Sequence, residues 1–271
     1  MLLPPSTNSV HPILNIAIRA ARAASSLIVR QLDRVDALNV VEKSRNDFVS
    51  EVDQRAESII IDTIRKAYPD HGILAEESGR QAGSEFVWII DPLDGTTNFL
   101  HGFPQFAVSI AVRHKNRIEH GVVFDPLRQE LFTASRGEGA QLDNRKIRVS
   151  RRGDLEGALL GTGFPFRNLE TLDEFLESLR AFIPKCAGVR RAGAAALDLA
   201  YVAAGRLDGF WEFGLSPWDM AAGALIIKEA GGIVTDPDGG EDFLEKGDIV
   251  AGNPRVLKAM LKVLISLKQR D

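Results

Sequence analysis

Phe86-Val87-Trp88-Ile89-Ile90 runs straight into Asp91-Pro92-Leu93-Asp94-Gly95-Thr96-Thr97-Asn98. The apolar run reads as a buried strand. Pro92 has no N–H to give to a ladder, so it forces the chain out of regular strand geometry. Asp91 and Asp94 can then converge on one side of a bend, while Gly95 leaves the backbone open. An Asx turn with a helix cap accounts for one aspartate but not both. Thr96, Thr97 and Asn98 can cap a helix, and a helix N-terminus offers unpaired N–H donors and a positive dipole end suited to phosphate. Two carboxylates beside a phosphate repel it unless divalent cations sit between them, so the stretch predicts a joint seat for hard metal ions and phosphate.

Downstream, residues 106–113, 118–124 and 130–135 have strand character and are joined by short turns such as Lys115-Asn116. That spacing predicts an antiparallel meander rather than repeated βαβ units. Upstream, Ile13, Ile16, Ala17, Ala20, Ala24, Leu27 and Ile28 recur at helical spacing, and a second helix is expected from about Asp53 to Ala67, stopped by Tyr68-Pro69-Asp70. Beyond residues 150–154 the pattern changes. Strands at 157–161, 207–213, 233–235 and 249–251 alternate with helices at 172–182, 194–204, 218–230 and 254–267, and Gly231 is placed as a C-cap. A mixed α/β chain with halves at 1–150 and 151–271, joined as one compact unit around a ligand cleft, is the expected organisation.

Composition narrows the function. The chain is 45% hydrophobic and 26% charged with a formal net charge of -4, which suits a globular protein and gives no general attraction to nucleic acid. The single cysteine, Cys186, cannot form an internal disulfide and is expected to be a buried, inert thiol in a reducing cytoplasm. The N-terminus lacks the charged and apolar regions of a signal peptide, and no apolar run approaches the roughly 20 residues needed to span a bilayer; the expectation is a cytoplasmic protein without a membrane partner. The five histidines lack zinc-like spacing. Gly161-Thr162-Gly163 and Gly137-Glu138-Gly139 read as turns rather than dinucleotide loops, and no serine sits in a nucleophile elbow.

Two further acidic sites end apolar elements. Glu76 follows Gly72-Ile73-Leu74-Ala75, and Asp219 falls in the first turn of the helix opened by Ser216-Pro217-Trp218. Together, Ala75-Glu76-Glu77-Ser78, Trp88-Ile89-Ile90-Asp91-Pro92-Leu93-Asp94-Gly95-Thr96-Thr97-Asn98-Phe99 and Trp218-Asp219-Met220-Ala221-Ala222-Gly223-Ala224 resemble the inositol monophosphatases of the lithium-sensitive, metal-dependent sugar-phosphatase superfamily. The resemblance covers nearly the whole chain. Its second half, Arg190 to Tyr201 and Phe210 to Ser216, looks particularly like the bacterial SuhB-type branch. One departure is Ala75, where the family often has glycine.

The resemblance implies a layered αβαβα sandwich with an antiparallel N-terminal sheet and a second mixed sheet. It implies Mg²⁺ held by Glu76, Asp91, the Leu93 carbonyl, Asp94 and Asp219, all hard oxygen donors. Thr96, working with Glu76, would orient and help deprotonate the attacking water, with Asp94 also in the catalytic set. Gly95, Thr96 and Thr97 would hold the phosphate. Glu212, Gly193, Ala195 and Asp219 match positions on the sugar side, and Arg190 matches a weaker substrate contact. A carboxylate such as Glu212 can accept from vicinal hydroxyls, which suits a polyol leaving group. Lys43, Asp47 and Asp53 resemble a mobile supporting segment.

The implied reaction is hydrolysis of myo-inositol 1-phosphate or a related phosphomonoester. Fructose-1,6-bisphosphatase, histidinol phosphatase and bisphosphate nucleotidase activities stand beside it, because the metal motifs do not choose the leaving group. The resemblance also implies a homodimer, with Arg191 at a sensitive interface position. A different class is a binding role in ribosomal-RNA transcription antitermination with RNA polymerase and Nus factors, which the cluster Arg145, Lys146, Arg148, Arg151 and Arg152 could serve. The loop 236–242 is acidic enough to suggest an ion site, although a solvated turn is favoured.

Overall fold

In a computed structural model of the chain, residues 11–32, 40–44, 47–166 and 169–269 are described, with 40–44 and 47–49 described by their backbone alone. The opening stretch forms the strand Phe86–Asp94, whose register against Ala107–His114 shifts between Asp91 and Asp94. Pro92 and Leu93 occupy this irregularity, the place where a proline is tolerated inside a sheet. Asp91 and Asp94 therefore emerge at a break in the pleat.

Phe86–Asp94 lies within an eight-stranded sheet. To one side the chain continues as the expected meander through Ala107–His114, Arg117–Asp125 and Glu130–Ser135, then through the short strands Gly139–Leu142 and Arg145–Lys146. To the other side lies Gly72–Ala75, which runs parallel to Phe86–Asp94 and turns back as Gly79–Gln81. The N-terminal sheet is thus antiparallel except for this pair. A five-stranded mixed sheet follows, in the order Gly188–Arg190, Leu159–Thr162, Gly209–Glu212, Ile249–Gly252 and Ile233–Thr235. Gly161 lies inside the strand expected at 157–161 and not in a Gly161-Thr162-Gly163 turn; a Cβ there would stand 2.9 Å from Leu207 and 3.1 Å from Phe210.

Helices complete five layers. Pro12–Gln31 and Glu51–Ala67 cover the outer face of the large sheet, Ala195–Ala203 and Pro217–Glu229 fill the space between the sheets, and Leu172–Phe182 with Pro254–Lys268 cover the far side. Three apolar clusters bind the five layers, one between the outer helices and the large sheet, one around the middle helices between both sheets, and one between the small sheet and the far helices, so the αβαβα arrangement expected from the resemblance is the one observed. The middle helices are apolar on nearly every side, as helices packed between two sheets must be. Gly121 admits one of them closely, since a Cβ at that position would lie 2.9 Å from the Ala222 carbonyl oxygen. The C-cap of that helix is Ala230, and Gly231, expected as the cap, follows it one residue later with φ 87°.

Pro12–Gln31 corrects one expectation. It has 20 residues and is long and apolar enough to cross a bilayer by length and composition. Its Ala17, Ala20, Ala21, Ala24 and Ile28 are buried in the core, while Arg19, Arg22 and Arg30 are directed away from it. This is the amphipathic burial of a core helix. Cys186 is also less enclosed than expected, being half-buried.

Candidate active site

Asp91, Asp94 and Asp219 converge on one point, with ligand-competent oxygens all within 4.8 Å of one another. Each is oriented by backbone N–H donors. Asp91 Oδ1 accepts from Leu93 N at 2.9 Å, so its own bend fixes it. Asp94 Oδ2 accepts from Ala196 N at 2.8 Å, capping the helix Ala195–Ala203, whose own N-cap, Ala194, has no side-chain acceptor. Asp219 is the third residue of Pro217–Glu229 and accepts from Ser216 N at 2.7 Å in a capping box. Helix N-termini favour negative charge, which partly offsets the gathering of three buried acids.

That offset is incomplete. Burial first, then the charges of Glu76, Asp94 and Asp219, push the Asp91 carboxyl well above the ordinary range. Burial and then Asp219 do the same to Asp94. Buried carboxylates that repel one another, with oxygen donors directed at a common point, fit a hard divalent cation, and Mg²⁺ is such an ion. Glu76 and the buried Leu93 line the same cleft of about 720 Å³, together with Gly95, Thr96, Thr97, Gly193, Ala195 and Glu212.

Thr96, Thr97 and Asn98 do not cap the short helix Thr96–Leu100 as expected. Gly95 takes that position with φ 91°, and no side chain bonds there. A Cβ on Gly95 would meet the Gln105 carbonyl at 2.9 Å. Thr96 Oγ1 instead has Asp53 Oδ1 at 2.9 Å and the Leu93 carbonyl at 3.1 Å. Asn98 donates to the Gln105, Ala192 and Gly193 carbonyls, tying the aspartate turn to the second half of the chain.

Asp53 corrects the expectation of a mobile supporting segment. It is fully buried, and its Oδ2 accepts from Ser50 N at 2.8 Å and Ser50 Oγ at 2.6 Å. Burial raises its pKa despite these bonds. The signal was present in sequence: Ser50 followed at the third position by Asp53 is a capping box, which starts the helix at Glu51 rather than near Asp53. The side chains of Lys43 and Asp47 lie outside the described residues.

The same cleft carries Glu212, at the end of Gly209–Glu212. Burial, then Asp198 and Asp219, hold its carboxyl well above the usual range. Gly163 makes room for it: a Cβ on that glycine would fall 1.8 Å from Glu212 Oε1 and 2.3 Å from Oε2. Asp198, which the sequence reading passed over, is 2% exposed, and burial raises its pKa to about 8. It is the sole charged residue between Arg191 and Arg206, a mark legible in the sequence.

Arg190 is not brought to the cleft. It is exposed, bonds the Val189 carbonyl and folds back over Gly188, because successive residues of an extended chain point to opposite sides. Arg191 lines the cleft in its place, its guanidinium 5.2 Å from the Phe164 ring centroid and 4.7 Å from that of Phe166. In the acidic loop, Asp236 accepts from Asp238 N, Gly240 N and Lys246 Nζ, so a lysine ammonium provides the positive charge beside it.

The inositol monophosphatase family model matches residues 9–269. The chain is 59% identical over 261 residues to the Nus factor SuhB of Pseudomonas aeruginosa, covering 94% of this chain and 96% of that protein. The crystal structure of the extragenic suppressor protein SuhB from Bartonella henselae superposes with a TM-score of 0.92 at 47% identity, covering 94% of this chain and 98% of that one. Inositol monophosphatase from Anabaena gives 0.85 at 39% identity, with coverage of 94% and 95%. Matched along almost its whole length in both sequence and fold, the chain belongs to the inositol monophosphatase family, a family of phosphatases.

Proposed function

We propose that this protein is a Mg²⁺-dependent phosphomonoesterase acting on myo-inositol 1-phosphate or a closely related polyol phosphate. The observation that carries the reading is the convergence of Asp91, Asp94 and Asp219 within 4.8 Å, in the same cleft as the recessed carboxylate Glu212. Glu76, Asp91, the Leu93 carbonyl, Asp94 and Asp219 would hold the metal. When bound, Mg²⁺ supplies charge neutralisation at the phosphoryl oxygens and a lowered pKa for water.

The chain's own groups do the rest. Gly95, Thr96 and Thr97 seat the phosphate, and Glu76 with Thr96 orients a water opposite the ester bond. As the water oxygen bonds to phosphorus and the ester P–O bond breaks, a water proton can pass through Thr96 Oγ1 toward Asp53, 2.9 Å away, while the departing polyol oxygen takes up a proton from solvent. Glu212 accepts hydroxyls of the leaving polyol, beside Gly193 and Ala195. In this reading residues 1–150 supply most metal ligands and residues 151–271 complete the site.

The test is phosphate release with Mg²⁺ from myo-inositol 1-phosphate, fructose 1,6-bisphosphate, histidinol phosphate and a 3′,5′-bisphosphate nucleotide, with and without Li⁺. The expected result is Mg²⁺-dependent, Li⁺-inhibited turnover strongest on the inositol ester. Turnover of no panel member would overturn the reading.

The Nus-factor names of the relatives favour a second reading, in which the protein binds the transcription antitermination machinery. Arg145, Lys146, Arg148, Arg151 and Arg152 are exposed and support it, although Arg152 also pairs with Asp208 at 3.3 Å. Pull-down with purified RNA polymerase and Nus factors tests this role, and association with neither removes it. A cytoplasmic homodimer completes the reading, to be rejected if light scattering finds only monomer at micromolar concentration.

A further inference from the structure

We propose that Glu57 is the positioning residue that sets Glu76 at the metal site. The inference rests on the metal reading above. Gly72–Ala75 turns back into Gly79–Gln81 through Glu76, Glu77 and Ser78, with Ala75 opposite Gly79. All three N–H groups of this turn are held. Glu76 N donates to the Ile90 carbonyl at 3.2 Å, Glu77 N to Glu57 Oε2 at 2.8 Å and Ser78 N to Glu57 Oε1 at 2.8 Å. One carboxylate therefore grips two successive donors, the charge-assisted, two-pronged arrangement that fixes orientation as well as distance.

Glu57 is only 3% exposed and belongs to the helix Glu51–Ala67. Asp53 lies four residues earlier on that helix, and residues so spaced share a face. Asp53 holds Thr96 Oγ1, while Glu57 holds the turn carrying Glu76. One rigid helix thus sets the spacing between the two groups that orient the attacking water. Tying a helix to a sheet edge would need only one of these carboxylates; two of them, one on Thr96 and one on the turn that follows Glu76, define a common support.

The experiment compares wild type, Glu57→Gln and Glu76→Gln by calorimetric titration with Mg²⁺, with metal-free melting and the Mg²⁺ dependence of kcat measured alongside. In Glu57→Gln the side-chain amide can accept from one N–H but turns a donor toward the other. Mg²⁺ binding by that variant is expected to weaken by roughly 10- to 100-fold, the usual cost of losing a group that orients a ligand. The Mg²⁺ midpoint of kcat shifts by the same factor, while KM at saturating Mg²⁺ stays within about twofold because the phosphate seat is untouched.

Wild-type Mg²⁺ affinity in Glu57→Gln, with weakened affinity in Glu76→Gln, would overturn the positioning role and leave the metal reading standing. Wild-type affinity in Glu76→Gln would overturn the metal reading itself. If Glu57→Gln does not fold without metal, Glu57→Asp, which keeps both acceptors on a shorter stem, takes its place and is read by the same outcomes.

Discussion

Replacing Gly163 by alanine tests whether Glu212 selects the leaving group. The backbone at Gly163 is not in the left-handed region, so alanine is conformationally acceptable there. The new methyl group would nevertheless lie 1.8 Å from Glu212 Oε1 and 2.0 Å from its Cδ. Ordinary carbon contacts begin near 3.5 Å, so the carboxylate must retreat by roughly 1.5 Å. A displacement of about 1 Å in a group that positions substrate costs on the order of 100-fold, or about 2.7 kcal/mol of transition-state stabilisation. The expected outcome for Gly163→Ala is therefore a fall of about 100-fold in kcat/KM for myo-inositol 1-phosphate, with less than about threefold for p-nitrophenyl phosphate, which has no hydroxyls for Glu212 to accept. Because the two residues touch, Gly163→Ala should add little to Glu212→Gln. Steady-state kinetics on both substrates provide the assay. Equal losses on the two substrates, or an inositol phosphate rate within threefold of wild type, would refute the reasoning.

Asp94→Asn removes one of the mutually repelling acids and a proposed metal ligand, so Mg²⁺-dependent turnover should fall by at least about 100-fold while the metal-free melting temperature rises. Retained turnover would end the proposed mechanism. Asp198 has a pKa of about 8 when folded and an ordinary carboxylate value when unfolded, so the unfolded chain releases its proton first and stability declines as pH climbs between those values. At pH 7 the cost is about 4 kcal/mol, and Asp198→Asn should melt higher there with a flatter pH profile; an unchanged melting curve would count against it. His120 runs the opposite way. Its pKa is lowered to about 4 by burial and then by His11, whose ring lies 4.3 Å away, so below pH 6.5 the unfolded state takes up a proton that the folded state refuses. Denaturant melts of wild type and His120→Gln should therefore diverge by about 3 kcal/mol between pH 6.5 and 4, the wild type losing more; parallel pH profiles would count against it.

The large elements were legible because their causes are local. Period-two runs gave the meander, the Ile and Ala spacing of residues 13–28 gave the first helix, and Asp91-Pro92-Leu93-Asp94 announced the bend between a strand and a turn. Short elements were not legible. Gly79–Gln81 and Gly188–Arg190 span three residues each and carry too little pattern to register; their neighbours in the sheet make them strands. Gly161 and Gly163 looked alike in sequence, yet one sits within a strand beside Leu207 and Phe210 and the other borders Glu212. Arg190 and Arg191 could not be ranked by residue type, since the direction of the chain decides which one reaches the cleft.

Sequence alone determined which groups this protein has to work with: acidic residues in a spacing that belongs to the inositol monophosphatases, hydroxyl residues directly after them, and a further carboxylate at Glu212. Those follow from residue identity and nearest neighbours. Only the tertiary structure decided which acid meets which partner. Asp94 caps a helix 102 residues away, Glu57 reaches the turn after Glu76, and Asp53 meets Thr96 across 43 residues. Such pairings arise from how layers stack, and no local pattern encodes them, because each partner satisfies its own element's rules before meeting the other.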